Sequence, residues 1–270
     1  MIGVSRKRVK PTGAHALLPP ATGWKVLQAP GRVTRAALSR VDHVLVVTPH
    51  RIPESAWRNI PGLKSLQALQ KRLGKDGTGR ALRGALAGGV AVTLGALPAT
   101  GTPPRQALPA PFALLKFAGD VVADALADEP RSLAILIHGF PPEDEDRVSR
   151  AVLLALGARA WKPPAFQKES KALPLRTVHL LGLSHPLDLG RTLAEIEGAN
   201  LVRWLTALPA NKLSASTYRE LLAALARQGD RRRRQRGHRR RGGAALRRGA
   251  HPRRRTAGGP GGLQCTNGQT

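Results

Sequence analysis

The sequence predicts an α/β fold: a mainly parallel sheet with flanking helices, followed by two further helices and a disordered Arg/Gly-rich tail. Three observations carry this reading. Several short runs are apolar throughout, notably "VDHVLVVTP" (41–49), "SLAILIHGF" (132–140) and "RTVHLLGL" (176–183). A strand that is apolar on both sides belongs in a sheet covered on both faces, the usual setting of parallel strands. Amphipathic helical stretches fall between such runs, which is the alternation of a layered α/β domain. Beyond Gln228 the apolar pattern stops and arginine and glycine take over.

Taken in order, residues 1–39 are rich in Pro, Gly and basic side chains and read as a loosely ordered basic lead-in. The α/β domain is expected over 40–185. Residues 41–49 are β-branched and closed by a proline, which predicts a buried strand. "GLKSLQALQKRLG" (62–74) has Leu63, Leu66, Leu69 and Leu73 at helical spacing, with Gly74 as a stop. "GGVAVTLGAL" (88–97) predicts a strand, and a Pro/Thr/Gly loop follows from Pro98 to Pro111. "FALLKFAG" (112–119) reads as a strand, with "DVVADALAD" a short helix or continuation behind it. Residues 132–140 form the clearest strand. In "EDEDRVSRAVLLALGARAW" (143–161) four acids sit near the positive end of a helix whose Val148, Val152, Ala155 and Leu156 share a face. Residues 176–183 predict the last strand.

Residues 186–228 read as a linker helix and the first helices of an incomplete second domain. Leu189, Leu193, Ile196, Asn200, Trp204 and Leu208 recur at steps of three or four, and Pro209 ends the pattern. Thr217 and Glu220 then have capping-box spacing ahead of Tyr218, Leu221, Leu222 and Leu225. Residues 229–270 are the tail.

Composition narrows the function. Formal charge is +27, from 44 Lys+Arg against 17 Asp+Glu, and 13 arginines lie between Arg231 and Arg255. About half of the excess therefore belongs to the tail, and polyanion binding is an inference about the tail above all. The single cysteine, Cys265, excludes a disulfide framework and a Cys-based zinc site within one chain, which fits a reducing compartment. No apolar run reaches membrane-span length, no signal-peptide pattern opens the chain, and the expected location is the cytoplasm. With aromatics at 3%, single-strand binding through stacked bases is disfavoured.

The most specific stretch is "EGANLVRWLTALPANKLSASTYRELL" (197–222). It resembles the leucyl aminopeptidase (cytosol aminopeptidase) family, which opens its catalytic half with an Asn-Leu-x-Arg-x-Leu helix followed by Pro-x-Asn-x-Leu. Asn200, Leu201, Arg203, Leu205, Pro209, Asn211 and Leu213 stand in those places; Ala215 departs from the pattern, where the family has proline. The resemblance covers roughly 40–228 and implies that the α/β region is similar to that family's N-terminal domain. It also implies release of N-terminal amino acids from peptides, two divalent ions (Zn or Mn), and a cytoplasmic homo-hexamer. The motif residues themselves are structural: they link domains and shape a turn.

The resemblance places the metal ligands in a Gly-Lys-Gly…Asp-Ser-Gly segment and an Asn-Thr-Asp-Ala-Glu-Gly-Arg segment, and neither occurs here. Past Asp230 there is no Asp, Glu or Lys. Arginine, glycine and alanine cannot assemble a carboxylate site for two cations, so no catalytic residue, metal ligand or cofactor is expected in this chain. Of residues 229–262, 28 are Arg, Gly, Ala or Pro, the vocabulary of G- and C-rich codons. A frameshift or equivalent truncation near Gln228 is the expected origin. The alternative is a genuine basic tail, with Arg231, Arg232, Arg233, Arg234, Arg239, Arg240 and Arg241 contacting phosphates without sequence choice. Exposed apolar helix faces left without a covering half predict self-association.

Three other constellations are set aside. "GLSHP" (182–186) places Ser184 beside His185 but lacks the closing glycine of a nucleophile elbow. "GKDGTGR" (74–80) lacks Walker spacing. Glu143, Asp144, Glu145 and Asp146 are accounted for as a helix start.

Overall fold

The structure is a computed structural model that describes residues 17–19, 23–50, 62, 81–86, 88–98, 108–162 and 175–227. The expected helix over 62–74 apart from Gly62, the "GKDGTGR" loop and the arginine tail lie outside the described residues. The chain divides into two compact units, Pro19–Lys212 and a second one that joins Met1–Leu18 with Leu213–Thr270.

The larger unit is built on a six-stranded sheet: β1 (Lys25–Ala29), β2 (His43–Thr48), β3 (Ala81–Ala85), β4 (Ala91–Ala96), β5 (Ser132–Ile137) and β6 (Thr177–Leu181). Their order across the sheet is β1-β6-β5-β2-β4-β3, and every pairing is parallel except β3 with β4. Every residue of β2 is buried: the apolar run Val44 to Val47 suits a central strand, and the polar His43 and Thr48 at its ends are buried with it. Among the described residues, the helices of this unit are α1 (Arg35–Leu38), α2 (Pro111–Leu126), α3 (Pro142–Arg159) and α4 (Leu189–Ala207).

Alternation along each strand divides the core between two faces. Leu45 and Val47 of β2, Leu133, Ile135 and Ile137 of β5, and Val178 and Leu180 of β6 pack with α2, α3 and Ile196 of α4. Val44, Val46, Val92, Leu94, Ala134, Leu136 and Leu181 point the other way, toward Leu38 of α1. Helices α2 to α4 thus cover one face and α1 lies on the other.

Two expectations need correction. The strand expected over 112–119 is the first half of α2. Leu114, Phe117, Ala118, Val121, Val122 and Ala125 form one buried stripe at steps of three and four, and Pro111 occupies the first turn, where its missing N–H costs nothing. The run holds no β-branched residue before Val121, and Ala, Leu and Lys are good helix formers. The sheet also begins earlier than residue 40: β1 lies inside the stretch read as a loose lead-in. Its residues alternate between exposed and half-buried, the weak pattern of an edge strand.

The remaining elements fall where their periodicity places them. In α3 the acids Glu143, Asp144 and Glu145 occupy the first turn and Arg159 the last, each complementing the helix dipole. In α4 the carboxylate of Asp188 caps the amides of Gly190 and Arg191 at 3.1 and 3.3 Å.

In the second unit the described residues include the helix α5 (215–227). Its cap is Ser214, whose Oγ accepts from the Thr217 amide at 3.3 Å, so Thr217 sits inside the first turn rather than at the cap. Leu221 and Ala224 are buried, while Tyr218 and Leu222 are exposed.

Candidate functional site at the carboxyl ends of the parallel strands

Parallel α/β sheets place their loops for ligands at the carboxyl ends of the strands, and the best position lies between adjacent strands whose chains leave for opposite faces. Strands β1 and β6 are such neighbours. From β1 the chain runs to α1 on one face; from β6 it runs to α4 on the other. A crevice of about 310 Å³ opens there. It is lined by residues 31–33 of the loop after β1, by Leu181 and Gly182 at the end of β6, and by residues 136–138 at the end of β5, with β6 the middle of the three strands.

The local geometry explains the glycines. Gly31 and Gly182 have φ of +94° and +74°, a backbone region that L side chains avoid. A Cβ on Gly182 would stand 2.8 Å from Val33 Cγ2. The two loops are tied together as the sheet ends: the Gly31 amide donates to the Leu183 carbonyl at 3.0 Å and the Gly182 amide to the Ala29 carbonyl at 3.3 Å. Arg32 is exposed and is the one charged residue among those lining the crevice.

The loop from β6 to α4 is clasped at two further points. The Gln28 side-chain amide pairs with the backbone of Leu187 in both directions, at 3.0 and 2.8 Å, as a strand neighbour would. The buried Glu145 carboxylate accepts from the Ser184 amide at 3.1 Å to each oxygen, and from the Ser184 hydroxyl. Beside this clasp, His185 Nδ1 lies 3.0 Å from Ser184 Oγ, and its Nε2 lies 3.0 Å from Asp146 Oδ1. The contiguity looks like a Ser-His-Asp relay, yet the hydroxyl already donates to Glu145. The Ser184 amide, the natural oxyanion donor at such a site, is committed to the same carboxylate. The cluster fastens α3 to the β6–α4 loop. Sequence reading gave Glu145 to the helix dipole; its burial against Ser184 depends on residues 39 positions apart meeting.

The family-motif residues lie elsewhere. Asn200, Leu201, Arg203 and Leu205 are on α4, Pro209 and Asn211 lie in the turn that closes with the Lys212 amide donating to the Pro209 carbonyl at 2.8 Å, and Leu213 follows it. Asn200 Nδ2 donates to the Gly157 carbonyl at 3.1 Å, and Arg203 Nη1 to Asn200 Oδ1 at 2.8 Å. Asn200 therefore satisfies a carbonyl of the last turn of α3 and orients Arg203. At the same crossing a Cβ on Gly157 would meet Ile196 Cγ2 at 2.4 Å, so glycine is what lets α4 lie this close. None of these residues lines the crevice. The arginines from Arg231 to Arg241 lie outside the described residues.

Among the described residues no three His, Cys, Asp or Glu side chains come together as metal ligands. The donor set of this region does not fit a two-metal centre.

No protein-family profile matches the sequence, and no curated protein does. Solved structures do. A mutant tomato leucine aminopeptidase superposes with a TM-score of 0.54 at 17% identity, covering 78% of this chain and 44% of the tomato chain. An apo leucyl aminopeptidase from Trypanosoma brucei gives 0.50 at 13% identity, covering 80% of this chain and 44% of the other. The fold is similar to that of leucine aminopeptidases. The chain spans under half the length of either enzyme. The crevice residues 31–33 were hidden from sequence reading inside the lead-in, where "APGR" supplied only a turn signal.

Proposed function

We propose that this chain carries the α/β domain and the first connecting helices of a leucyl-aminopeptidase-type metallo-exopeptidase, and that the 270-residue polypeptide by itself does not hydrolyse peptides. The observation that carries the proposal is the conjunction of an aminopeptidase-like fold with the absence, among the described residues, of any three His, Cys, Asp or Glu side chains gathered as metal ligands. The fold supports the relationship, and the Asn200-to-Leu213 motif, sitting on the helix that leads out of the sheet domain, supports its direction. The reaction of such enzymes needs carboxylates and an amine around two cations that activate a water and polarise the scissile carbonyl. Residues 231–270 offer neither Asp, Glu nor Lys.

The change of composition near Gln228 supports an origin in a shifted reading frame. A complete relative would remove N-terminal residues from peptides with Zn or Mn as a hexamer in the cytoplasm.

Two measurements test the proposal. The purified chain, supplied with Mn²⁺ or Zn²⁺, is expected to leave leucyl-p-nitroanilide intact; metal-dependent turnover that a chelator abolishes overturns the claim of inactivity. Translating the gene downstream of codon 228 in the other two frames is expected to yield an Asn-Thr-Asp-Ala-Glu-Gly-Arg segment, and its absence from both frames removes the frameshift.

A further inference from the structure

The sheet ends on one side at β1. The Lys25 amide donates to the Arg176 carbonyl at 2.9 Å, and the Ala29 carbonyl accepts from the Gly182 amide at 3.3 Å. In a parallel pair the amide and carbonyl of one residue point to the same side, and successive residues alternate, so Lys25, Leu27 and Ala29 address β6. Val26 and Gln28 therefore turn their amides and carbonyls outward. Among the described residues no strand and no backbone group meets them. Unused donors and acceptors in such a row are a template for a further strand.

The side chains of β1 divide by face. Val26 packs on the core under α2 to α4, and the Gln28 side chain holds Leu187 on that same face. Leu27 points the other way, toward the α1 face, and is 51% exposed. A large apolar side chain thus stands in water beside an open backbone edge.

Symmetry decides what fits there. A twofold axis perpendicular to the sheet, passing beside Leu27, lays a second β1 antiparallel to the first. Val26 then faces the partner's Gln28, and Gln28 the partner's Val26, as hydrogen-bonded pairs that use every outward amide and carbonyl of both strands. Between them Leu27 meets the partner's Leu27 at a non-hydrogen-bonded position, where Cα atoms approach to about 4.5 Å. Lys25 lies opposite the partner's Ala29, so no like charges stand face to face. The two lysines are out of register by about 13 Å along the strands, beyond the Debye length of about 8 Å at physiological salt. A twofold axis along the strands would instead set amide against amide. Pro30 follows at once and confines the pairing to the five residues of β1.

We propose that the free edge of β1 pairs with a second copy of this chain, antiparallel about Leu27, and joins two sheets into one. The interface is isologous and closed. It uses neither the family-motif residues nor the exposed apolar side chains of α4 and α5, and it stands whether or not the aminopeptidase relationship does. So short a pairing is a small interface that forms reversibly, which makes covalent trapping the suitable readout.

The test uses the full chain carrying Cys265→Ser, so that an introduced cysteine is the only one. Leu27→Cys, Lys25→Cys and Ala29→Cys are oxidised with copper–phenanthroline, alone and mixed, and covalent dimer is scored on non-reducing gels. All three positions are exposed, so the core stays intact and random collision treats them alike. Leu27→Cys is expected to link to itself about tenfold faster than either other variant does, since about 4.5 Å lies within the Cα range of disulfides, about 4.4–6.8 Å. Mixing Lys25→Cys with Ala29→Cys should restore linking, as a heterodimer. Sedimentation gives a second readout in a Val202→Glu, Leu222→Glu background, which removes other exposed apolar side chains. There Leu27→Lys and Leu27→Glu should each be monomeric, and their equimolar mixture dimeric. Equal linking at the three positions, no linking of Leu27→Cys, no linking in the mixture, or a charge-paired mixture that stays monomeric overturns the proposal and leaves the edge to a foreign strand or to solvent.

Discussion

The crossing of α3 and α4 at Gly157 makes a quantitative prediction, because two glycines of the same helix pair should respond to the same substitution with opposite sign. Alanine in a helix interior is favoured over glycine by about 0.8–1.0 kcal/mol. At Gly198 of α4 a new Cβ meets nothing within 4 Å, so Gly198→Ala should realise that gain and stabilise by about 1 kcal/mol. At Gly157 the new Cβ would stand 2.4 Å from Ile196 Cγ2 and 2.9 Å from its Cγ1. Ordinary carbon contacts are about 3.5–4.0 Å, so α4 must retreat by roughly 1 Å or Ile196 must leave its rotamer. Ile196 is buried, its exposure only 2%, and it has no room to turn away. Overpacking of this kind costs about 1–3 kcal/mol, which cancels or exceeds the propensity gain. The two variants should therefore differ by about 1–3 kcal/mol.

Urea unfolding followed by circular dichroism reads this directly. With an m-value of about 2 kcal/mol/M, a gap of about 2 kcal/mol separates the midpoints by about 1 M. Ile196→Ala costs about 2–5 kcal/mol alone, but in its background Gly157→Ala should become stabilising, since the obstructing methyls are gone; that coupling is the signature of contact. Equal stabilisation by Gly157→Ala and Gly198→Ala would refute the close crossing, and with it the explanation of Asn200 as the side chain that caps the Gly157 carbonyl.

Further outcomes are expected elsewhere. His43 is buried in β2, with Nε2 2.8 Å from Thr93 Oγ1 and Nδ1 3.4 Å from the Asp128 carboxylate. Burial lowers its pKa from the ordinary 6.5, against the pull of Asp128 and with a smaller push from Arg83 in the same direction. The unfolded chain therefore takes up the proton first: the stabilising contribution is present above about pH 6.5 and is lost as pH falls toward the folded value. The urea midpoint should drop between pH 7.5 and 5.5, and His43→Gln should flatten that drop; an unchanged slope refutes the assignment. Asp42 accepts from the amides of Ser132 and Arg131 at 2.9 Å each, and the Ser132 amide first of all holds its carboxyl below 3.8. Asp42→Ala should lower the midpoint at pH 7 and lose that penalty in acid, where the parent carboxyl is protonated; a penalty that persists below pH 3 contradicts it. If the 13 arginines of the tail act as a phosphate handle, the chain should bind duplex DNA with an affinity that falls steeply with salt, and deleting 229–270 should remove that binding; binding that survives deletion places the handle elsewhere. Val202, Tyr218 and Leu222 are exposed, so sedimentation should detect self-association that Val202→Glu with Leu222→Glu relieves; a monomer at high concentration counts against it.

The amino-acid order determined the central strands, α3, α4 and the layered α/β class, because each of these buries a continuous stripe or run, and burial is written locally as periodicity. Leu189, Leu193 and Ile196 lie on one stripe in the sequence and face the same core in the structure. Tertiary structure decided whatever depends on distant partners. The run 112–119 is too uniformly apolar for its period to separate strand from helix, and only packing against β4, where a Cβ on Gly95 would stand 2.5 Å from Val121 Cγ1, shows which one it is. Strand β1 has too few buried side chains to announce itself, since it gains its place through backbone bonds to β6 about 150 positions away. The crevice is the same case at its extreme: residues 31–33, 136–138 and 181–182 carry no common motif, and they meet because parallel pairing brings three strand ends side by side.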